Sequence, residues 1–302
     1  MRKAAGWKKA MASLVSAATL FSCTITGTMN FSTVTAADGA NYAEALAMSL
    51  YFFDANECGT EVDDNCLTWR GNCHTYDAEA SLDSAANLSS SEKAMIKEAN
   101  GGSNTVDVSG GYHDAGDHIK FNVTMGFAAS SLAMSYYMNP GAYEKANCEG
   151  HFREVLKKTC DYLMKTTYLD NSGNVYAVCA TVANSADHDV TWEPPEKQTY
   201  DRPTYWLTAS YNNSVTTATM ASALAGTAYV FKDVDAEYSA KCMKYSKALY
   251  DFAKKYPDMQ DTTSGLYRLT DTYIDDLALA EVWFYINGEG CLPTYKPTAN
   301  GC

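Results

Sequence analysis

Tyr238-Ser239-Ala240-Lys241-Cys242-Met243-Lys244-Tyr245-Ser246-Lys247-Ala248-Leu249-Tyr250-Asp251-Phe252-Ala253-Lys254-Lys255-Tyr256-Pro257 is the stretch on which the fold class turns. Its large apolar residues Tyr238, Cys242, Tyr245, Leu249, Phe252 and Tyr256 recur in alternating steps of four and three. Those steps match the 3.6-residue turn of an α-helix, so one face is apolar and the other carries the lysines. Pro257 is the stop signal. A second stripe, Phe152, Val155, Leu156, Thr159 and Leu163, lies between Gly150 and about Lys165. Further helices are expected at 41–56, about 123–137, 214–231 and 272–287, the last closed by Gly288 as a C-terminal cap. Strand-like alternation is scarce, with Gly173 to Val182 the main candidate. Six such helices predict an all-α fold, with long polar loops between them to carry function.

Composition bounds the reading. The chain has 302 residues, 46% of them hydrophobic, enough to bury a large core, so one domain after a leader is expected. A formal charge of -13 excludes a nucleic-acid binder, because no basic stripe exists to neutralise phosphates. The 22 tyrosines and 5 tryptophans fit a sugar-binding cleft, since aromatic faces stack on the apolar faces of pyranose rings, although most aromatic rings in any protein serve the core. Residues 1–37 read as an export signal: Arg2, Lys3, Lys8 and Lys9 begin it, Ala10 to Phe21 form its apolar middle, and Thr35, Ala36 and Ala37 offer a cleavage site. Leu20-Phe21-Ser22-Cys23 offers the alternative of a lipid anchor on Cys23. Either way the chain is expected outside the cell. No later run is long and apolar enough to span a membrane. Of ten cysteines, nine lie beyond the leader, an odd number that leaves at least one thiol free or paired between chains. Crowding of Cys58, Cys66 and Cys73 predicts a local disulfide, and the lack of a Cys-x-x-Cys pair argues against zinc.

The chemistry is concentrated in Ser109-Gly110-Gly111-Tyr112-His113-Asp114-Ala115-Gly116-Asp117-His118-Ile119-Lys120-Phe121. Two carboxylates three residues apart, framed by glycines and followed by a histidine, suit a site where one acid holds a water and another deprotonates it. The same spacing also serves calcium loops and helix N-termini.

Other segments resolve that ambiguity. The stretch resembles the Gly-Gly-aromatic-x-Asp-Ala-Gly-Asp-His-x-Lys-Phe signature of glycoside hydrolase family 9, the inverting cellulases. Asn41 to Leu46 with Ser49 and Phe52 to Ala55 resembles that family's opening helix. Trp69-Arg70-Gly71 resembles its first substrate-side loop. Asp187-His188 with Trp192, Pro195, Glu196, Arg202 and Tyr205 is similar to its Asp-His-x-x-Trp-x-x-Pro-Glu stretch, and Tyr273, Asp275, Asp276, Leu277, Trp283 and Tyr285 to the helix that follows. The resemblance implies an (α/α)6 barrel of twelve helices in two rings. Six readable helices are half of that number, so residues 38–302 are expected to be an incomplete catalytic domain with apolar helix faces lacking partners.

Inverting hydrolysis of a glycoside needs an acid that protonates the leaving oxygen and a base that activates water from the opposite face, about 6.5–9.5 Å apart. Asp114 and Asp117 are too close in sequence to straddle a sugar ring, so both belong to the water side. The resemblance makes Asp117 the general base and Asp114 its partner in orienting water, and two such close carboxylates are expected to perturb each other's ionisation. It also implies sugar contacts from Trp69, Arg70, His118, His188, Trp192 and Tyr205. The family's acid sits in an Asn-Glu motif near its C-terminus. Asp54-Ala55-Asn56-Glu57 matches only superficially, in the wrong chain order. The expected activity is therefore cleavage of β-1,4-glucosidic bonds in cellulose or related β-glucans, with this chain inactive alone, and a non-catalytic carbohydrate-binding protein is the alternative. No cofactor is expected. The family's calcium loop aligns with Asn212 to Thr219, where Ser214 and Ala218 replace both carboxylates, so although Asp275 remains, calcium binding is expected to be weak or absent.

Overall fold

The computed structural model describes residues 41–184, 192–269 and 271–290. The expected leader with Cys23, and Asp187 with His188, lie outside the described residues. Among these residues eight α-helices form: α1 (Tyr42–Asn56), α2 (Ser90–Ala99), α3 (Asn122–Met138), α4 (Pro140–Lys145), α5 (Glu149–Lys165), α6 (Ser214–Phe231), α7 (Ala236–Lys255) and α8 (Ile274–Ile286). Side-chain caps start several of them, each satisfying an orphan amide. Asn41 accepts from Glu44 N on α1, Asn213 from Thr216 N on α6, and Asp235 from Tyr238 N on α7.

Helix α6 is the centre of the bundle and is buried around almost its whole circumference. Its Ala, Ser, Thr and Gly side chains let α3, α7 and α8 approach closely. At Gly226 a Cβ would lie 2.8 Å from Ala133 Cβ on α3 and 3.0 Å from the Trp283 indole on α8. The stripe read from residues 238–256 turns slightly in the structure: Ser246 is fully buried where Tyr245 was expected, donating to Ala221 O at 2.6 Å. A small hydroxyl fits the tight α6–α7 contact, and the phenol is displaced to its edge.

Two antiparallel sheets interrupt the all-helical expectation. A small one pairs β1 (Ala80–Ser81) with β2 (Thr105–Val106). The larger joins β3 (Lys120–Phe121), β4 (Thr167–Leu169), β5 (Val175–Val182) and β6 (Thr204–Thr208). Strand β5, the one strand expected from sequence, is central: β6 runs along one edge while β4 and β3 share the other. The pairing of Lys120 with Val182 and Phe121 with Thr181 pins the end of the aspartate motif to this sheet.

Several helices expose large apolar side chains. Tyr42, Met48 and Phe52 on α1, Phe127 on α3, and Ile274 and Tyr285 on α8 are each about half exposed or more. Exposed apolar groups of this kind mark surfaces suited to contact.

Candidate active site

The two aspartates sit in a tight turn rather than on a helix. Asp114 N donates to Ile119 O at 2.9 Å, His118 N to Ala115 O at 3.0 Å, and Ile119 N to the Asp117 carboxylate at 3.3 Å. His118 takes a left-handed φ of 61°, a conformation that costs an L-residue about 1–3 kcal/mol unless its surroundings hold it. Asp117 is buried and Asp114 half-buried, so the turn presents one carboxylate from below and one at the rim. Asp114 also lines a pocket of about 160 Å3 between α1 and α3, where about 10–15 Å3 suffices for a water.

Trp192 covers this turn. At Gly116, between the two aspartates, a Cβ would lie 2.5 Å from the indole Cζ3, so only glycine lets the ring reach the loop. The indole is 67% exposed on its outer side. That leaves a flat aromatic face beside both carboxylates.

Tyr267 is the functional residue that sequence reading missed. Its Oη donates to Asp114 Oδ2 at 2.5 Å, and burial followed by the Asp114 and Asp117 carboxylates pushes its phenol well above the usual range. The loop that presents it is built for the purpose: Asp261 accepts from Thr263 N and Gly265 N at 2.7 Å each, and Thr263 Oγ1 accepts from Tyr267 N at 3.1 Å.

Other expected sugar contacts separate. Trp69 is 68% exposed and free to meet a ligand, whereas Tyr205 is half-buried in β6, across Thr181 from Phe121. Arg70, expected to contact sugar, is engaged here in bracing the loop. Its guanidinium is buried, donating from Nε to Glu196 at 2.8 Å, from Nη2 to Glu57 O at 3.0 Å and from Nη1 to Ala55 O. His118 is buried, with Nδ1 2.9 Å from Gln198 Oε1.

Beneath the loop, Lys120 is completely buried and reaches Asp77 Oδ2 at 2.8 Å, Val108 O at 2.6 Å and Gly110 O at 3.1 Å. Arg202 Nε meets the other oxygen of Asp77 at 3.0 Å. This buried ion triad anchors the glycines that lead into the aspartates.

The profile of Glycosyl hydrolase family 9 matches residues 42–300. The chain belongs to glycosyl hydrolase family 9. It is 32% identical over 254 residues to endoglucanase B of Cellulomonas fimi, an alignment covering 83% of this chain and 22% of that one. With endoglucanase A of Bacillus pumilus it shares 29% over 250 residues, 82% of this chain and 34% of that one. Among solved structures it is similar to the catalytic domain of Clostridium thermocellum CelT, with a TM-score of 0.78 and 37% identity over 82% of this chain and 52% of that chain. It is also similar to the cellulase Cel9M of C. cellulolyticum in complex with cellobiose, at a TM-score of 0.68 and 30% identity over 83% of this chain and 52% of that chain. The chain thus spans about half the length of the solved family 9 enzymes and less of these curated relatives. Those neighbours are (α/α)6 barrels, which fixes the fold class expected from the helix pattern.

Within this family 9 fold a second cluster lies behind the aspartate loop. Cys58, Cys73, His74 and His113 are all buried, with their donor atoms within 4.8 Å of one another. His74 Nδ1 is 3.0 Å from His113 Nε2 and 3.7 Å from Cys58 Sγ. Two thiols and two imidazoles at these separations fit the edges of a tetrahedral zinc site. The hydrogen bond from Cys58 lowers the Cys73 thiol to about 7, with Arg70 adding to the effect, while burial pushes Cys58 up. The sequence argument against zinc considered only Cys-x-x-Cys pairs, whereas these four side chains come from three segments, two of them joined by the Gly59–Cys73 backbone β-bridge. A zinc ion held there would cross-link these loops behind the aspartate turn. The expected local disulfide is absent too, since Cys58, Cys66 and Cys73 are all free.

In the segment aligned with the calcium loop the two asparagine amides hold neighbouring carbonyls, while Asn212 Oδ1 is buried without a hydrogen-bond partner among the described residues. Asn212 Nδ2 donates to Tyr256 O at 2.7 Å and Asn213 Nδ2 to Gln260 O at 2.9 Å. Asp276, next to Asp275 on α8, is pushed up to about 6 by burial and by that neighbour.

Proposed function

We propose that the chain is part of an exported family 9 β-1,4-glucanase and carries the water-activating half of its active site. Asp117 is the general base, Asp114 orients the water, and Trp192 and Trp69 stack on glucosyl units of cellulose or a related β-glucan. The observation that carries this reading is the turn itself: two carboxylates separated by Ala115 and Gly116, with an exposed indole resting on the glycine. Names of the relatives, endoglucanases and a cellulase captured with cellobiose, support the substrate class. Residues 1–37 would direct export, with anchoring through Cys23 as the less favoured outcome.

The proton donor is proposed to lie outside these 302 residues. Glu57, in the only Asn-Glu pair of the sequence, is 4% exposed and ion-paired to Lys158 at 2.7 Å, and the pocket it lines with Gly110, Gly111 and Lys158 includes neither Asp114 nor Asp117. Substrates with different leaving groups test both halves of this reading. 2,4-Dinitrophenyl β-cellobioside releases a phenolate that departs unprotonated, so it needs the base and not the acid. Its hydrolysis by the purified chain is expected to exceed that of cellohexaose by about 10²- to 10⁴-fold, the usual contribution of a general acid, with α-cellobiose as the first product by proton NMR. Equal rates on the two substrates would place an acid within the chain. Binding of cellohexaose with no turnover of either substrate would favour the non-catalytic carbohydrate-binding alternative.

Tyr267→Phe removes the hydrogen bond to Asp114 and keeps the ring that packs edge-on against Phe121. Hydrogen bonds to a charged group contribute about 1.5–3 kcal/mol, so kcat on the same activated substrate is expected to fall about 10- to 100-fold with KM little changed. A rise in KM alone would make Tyr267 a binding residue instead.

A further inference from the structure

Gln198 joins two parts of the molecule that the proposed reaction does not otherwise connect. It is 3% exposed, and one atom, Oε1, lies 2.8 Å from His74 Nε2 and 2.9 Å from His118 Nδ1. His74 belongs to the buried thiol and imidazole cluster, and His118 follows the proposed base. The segment that carries Gln198 begins just after Trp192 and crosses both substrate-side loops. Glu196 binds Arg70 Nε at 2.8 Å and Gly71 N at 3.1 Å, and Tyr200 Oη donates to Asp117 O at 3.4 Å.

We propose that Gln198 is a positioning residue for the water-activating turn: its side-chain oxygen holds His118 in the left-handed conformation that sets the direction of Asp117, and ties that turn to His74. The proposal rests on the glucanase reading above. An amide oxygen can only accept, so both imidazoles must donate to it, His74 from Nε2 and His118 from Nδ1. Each ring is thereby fixed in one tautomer. His74 is left with a bare Nδ1 turned to His113 and Cys58, as a metal-facing imidazole held from behind would be. Holding His118 matters because its left-handed φ is a strained conformation that persists only where the surroundings restrain it. The ring contacts available, His113 at 4.8 Å and His74 at 6.0 Å between centroids, are edge-on or tilted and do not define a tautomer. Gln198 supplies the directional restraint.

Gln198→Leu keeps the volume and removes the acceptor, whereas Gln198→Glu keeps an acceptor in place. On 2,4-dinitrophenyl β-cellobioside, Gln198→Leu is expected to lose about 10- to 100-fold in kcat with KM unchanged, the scale of a misplaced catalytic group, and Gln198→Glu to stay within about threefold of wild type. Unchanged kcat in Gln198→Leu, or equal losses in both variants, would overturn the proposal. Nitrogen-15 spectra of the histidines provide a readout that needs no turnover: wild type should show His118 protonated on Nδ1 alone, and Gln198→Leu should show a mixture. A His118 protonated on Nε2 in wild type would likewise overturn it, and the spectrum decides the matter if Gln198→Leu does not fold. Should wild type turn over no activated substrate, the glucanase reading fails, while the tautomer spectra still judge the restraint on His118.

Discussion

Asp117→Asn is expected to lower kcat on 2,4-dinitrophenyl β-cellobioside by about 10²- to 10⁴-fold, the loss that follows removal of a general base. Asparagine keeps the shape of the side chain and an oxygen to accept from Ile119 N, so the turn should survive. What it cannot do is take the proton of the attacking water. Azide separates the chemical role from a structural one, because an anion attacks C1 without being deprotonated. With Asp117→Ala, added azide is expected to restore turnover and to give α-cellobiosyl azide as dinitrophenolate leaves. A variant whose rate does not respond to azide, with its melting temperature unchanged, would remove Asp117 from the role of base. An azide product of β configuration would contradict inversion itself.

The helices were legible because their apolar residues have a period, and α1, α3, α5, α6, α7 and α8 fall within a few residues of the expected spans. Helices α2 and α4 escaped for opposite reasons. On α2 only Ile96 is buried, so there is almost no stripe to see, although Ser89 and Glu92 form a capping box that a search for helix starts would have found. Helix α4 is six residues long, too short to show any period.

The active-site reading shows the same division between local and distant information. Asp114, Gly116 and Asp117 are a contiguous motif, and its chemistry could be inferred from residue types at close spacing. Tyr267 reaches Asp114 from 153 positions away, and no local pattern marks it. Arg70 is ambiguous in sequence, because an arginine beside a tryptophan is as suitable for a sugar as for a carbonyl cage. Only burial distinguishes the two, and burial is a tertiary property. The zinc-type cluster was missed for a related reason: adjacent Cys73 and His74 gave a faint signal, but the other ligands come from separate loops.

Asp77→Ala is expected to be the most destabilising single change in the neighbourhood of the site, at about 3–5 kcal/mol, because breaking a buried ion pair strands the charge that remains. Two cations would be stranded here. Lys120 is fully buried and the Arg202 side chain is 1% exposed, and Asp77 is the carboxylate both of them contact. Burial alone would raise the Asp77 carboxyl, but Lys120 and Arg202 outweigh it and hold the group below the usual carboxylate range. A depressed folded-state value fixes the sign of the pH dependence. The contribution of Asp77 is complete above the ordinary aspartate value of about 3.9 and is lost as the pH falls through the lower folded value. Urea unfolding followed by circular dichroism should therefore show the wild-type advantage over Asp77→Ala in full at neutral pH and shrinking only under strongly acid conditions. A difference below about 1 kcal/mol at neutral pH would mean that the cations reach water when their partner is removed. The charge triad also supports the catalytic turn, because Lys120 Nζ holds the carbonyls of Val108 and Gly110. Activity on the activated cellobioside should thus fall in Asp77→Ala even at temperatures where the chain remains folded, an outcome that pure loss of stability would not give.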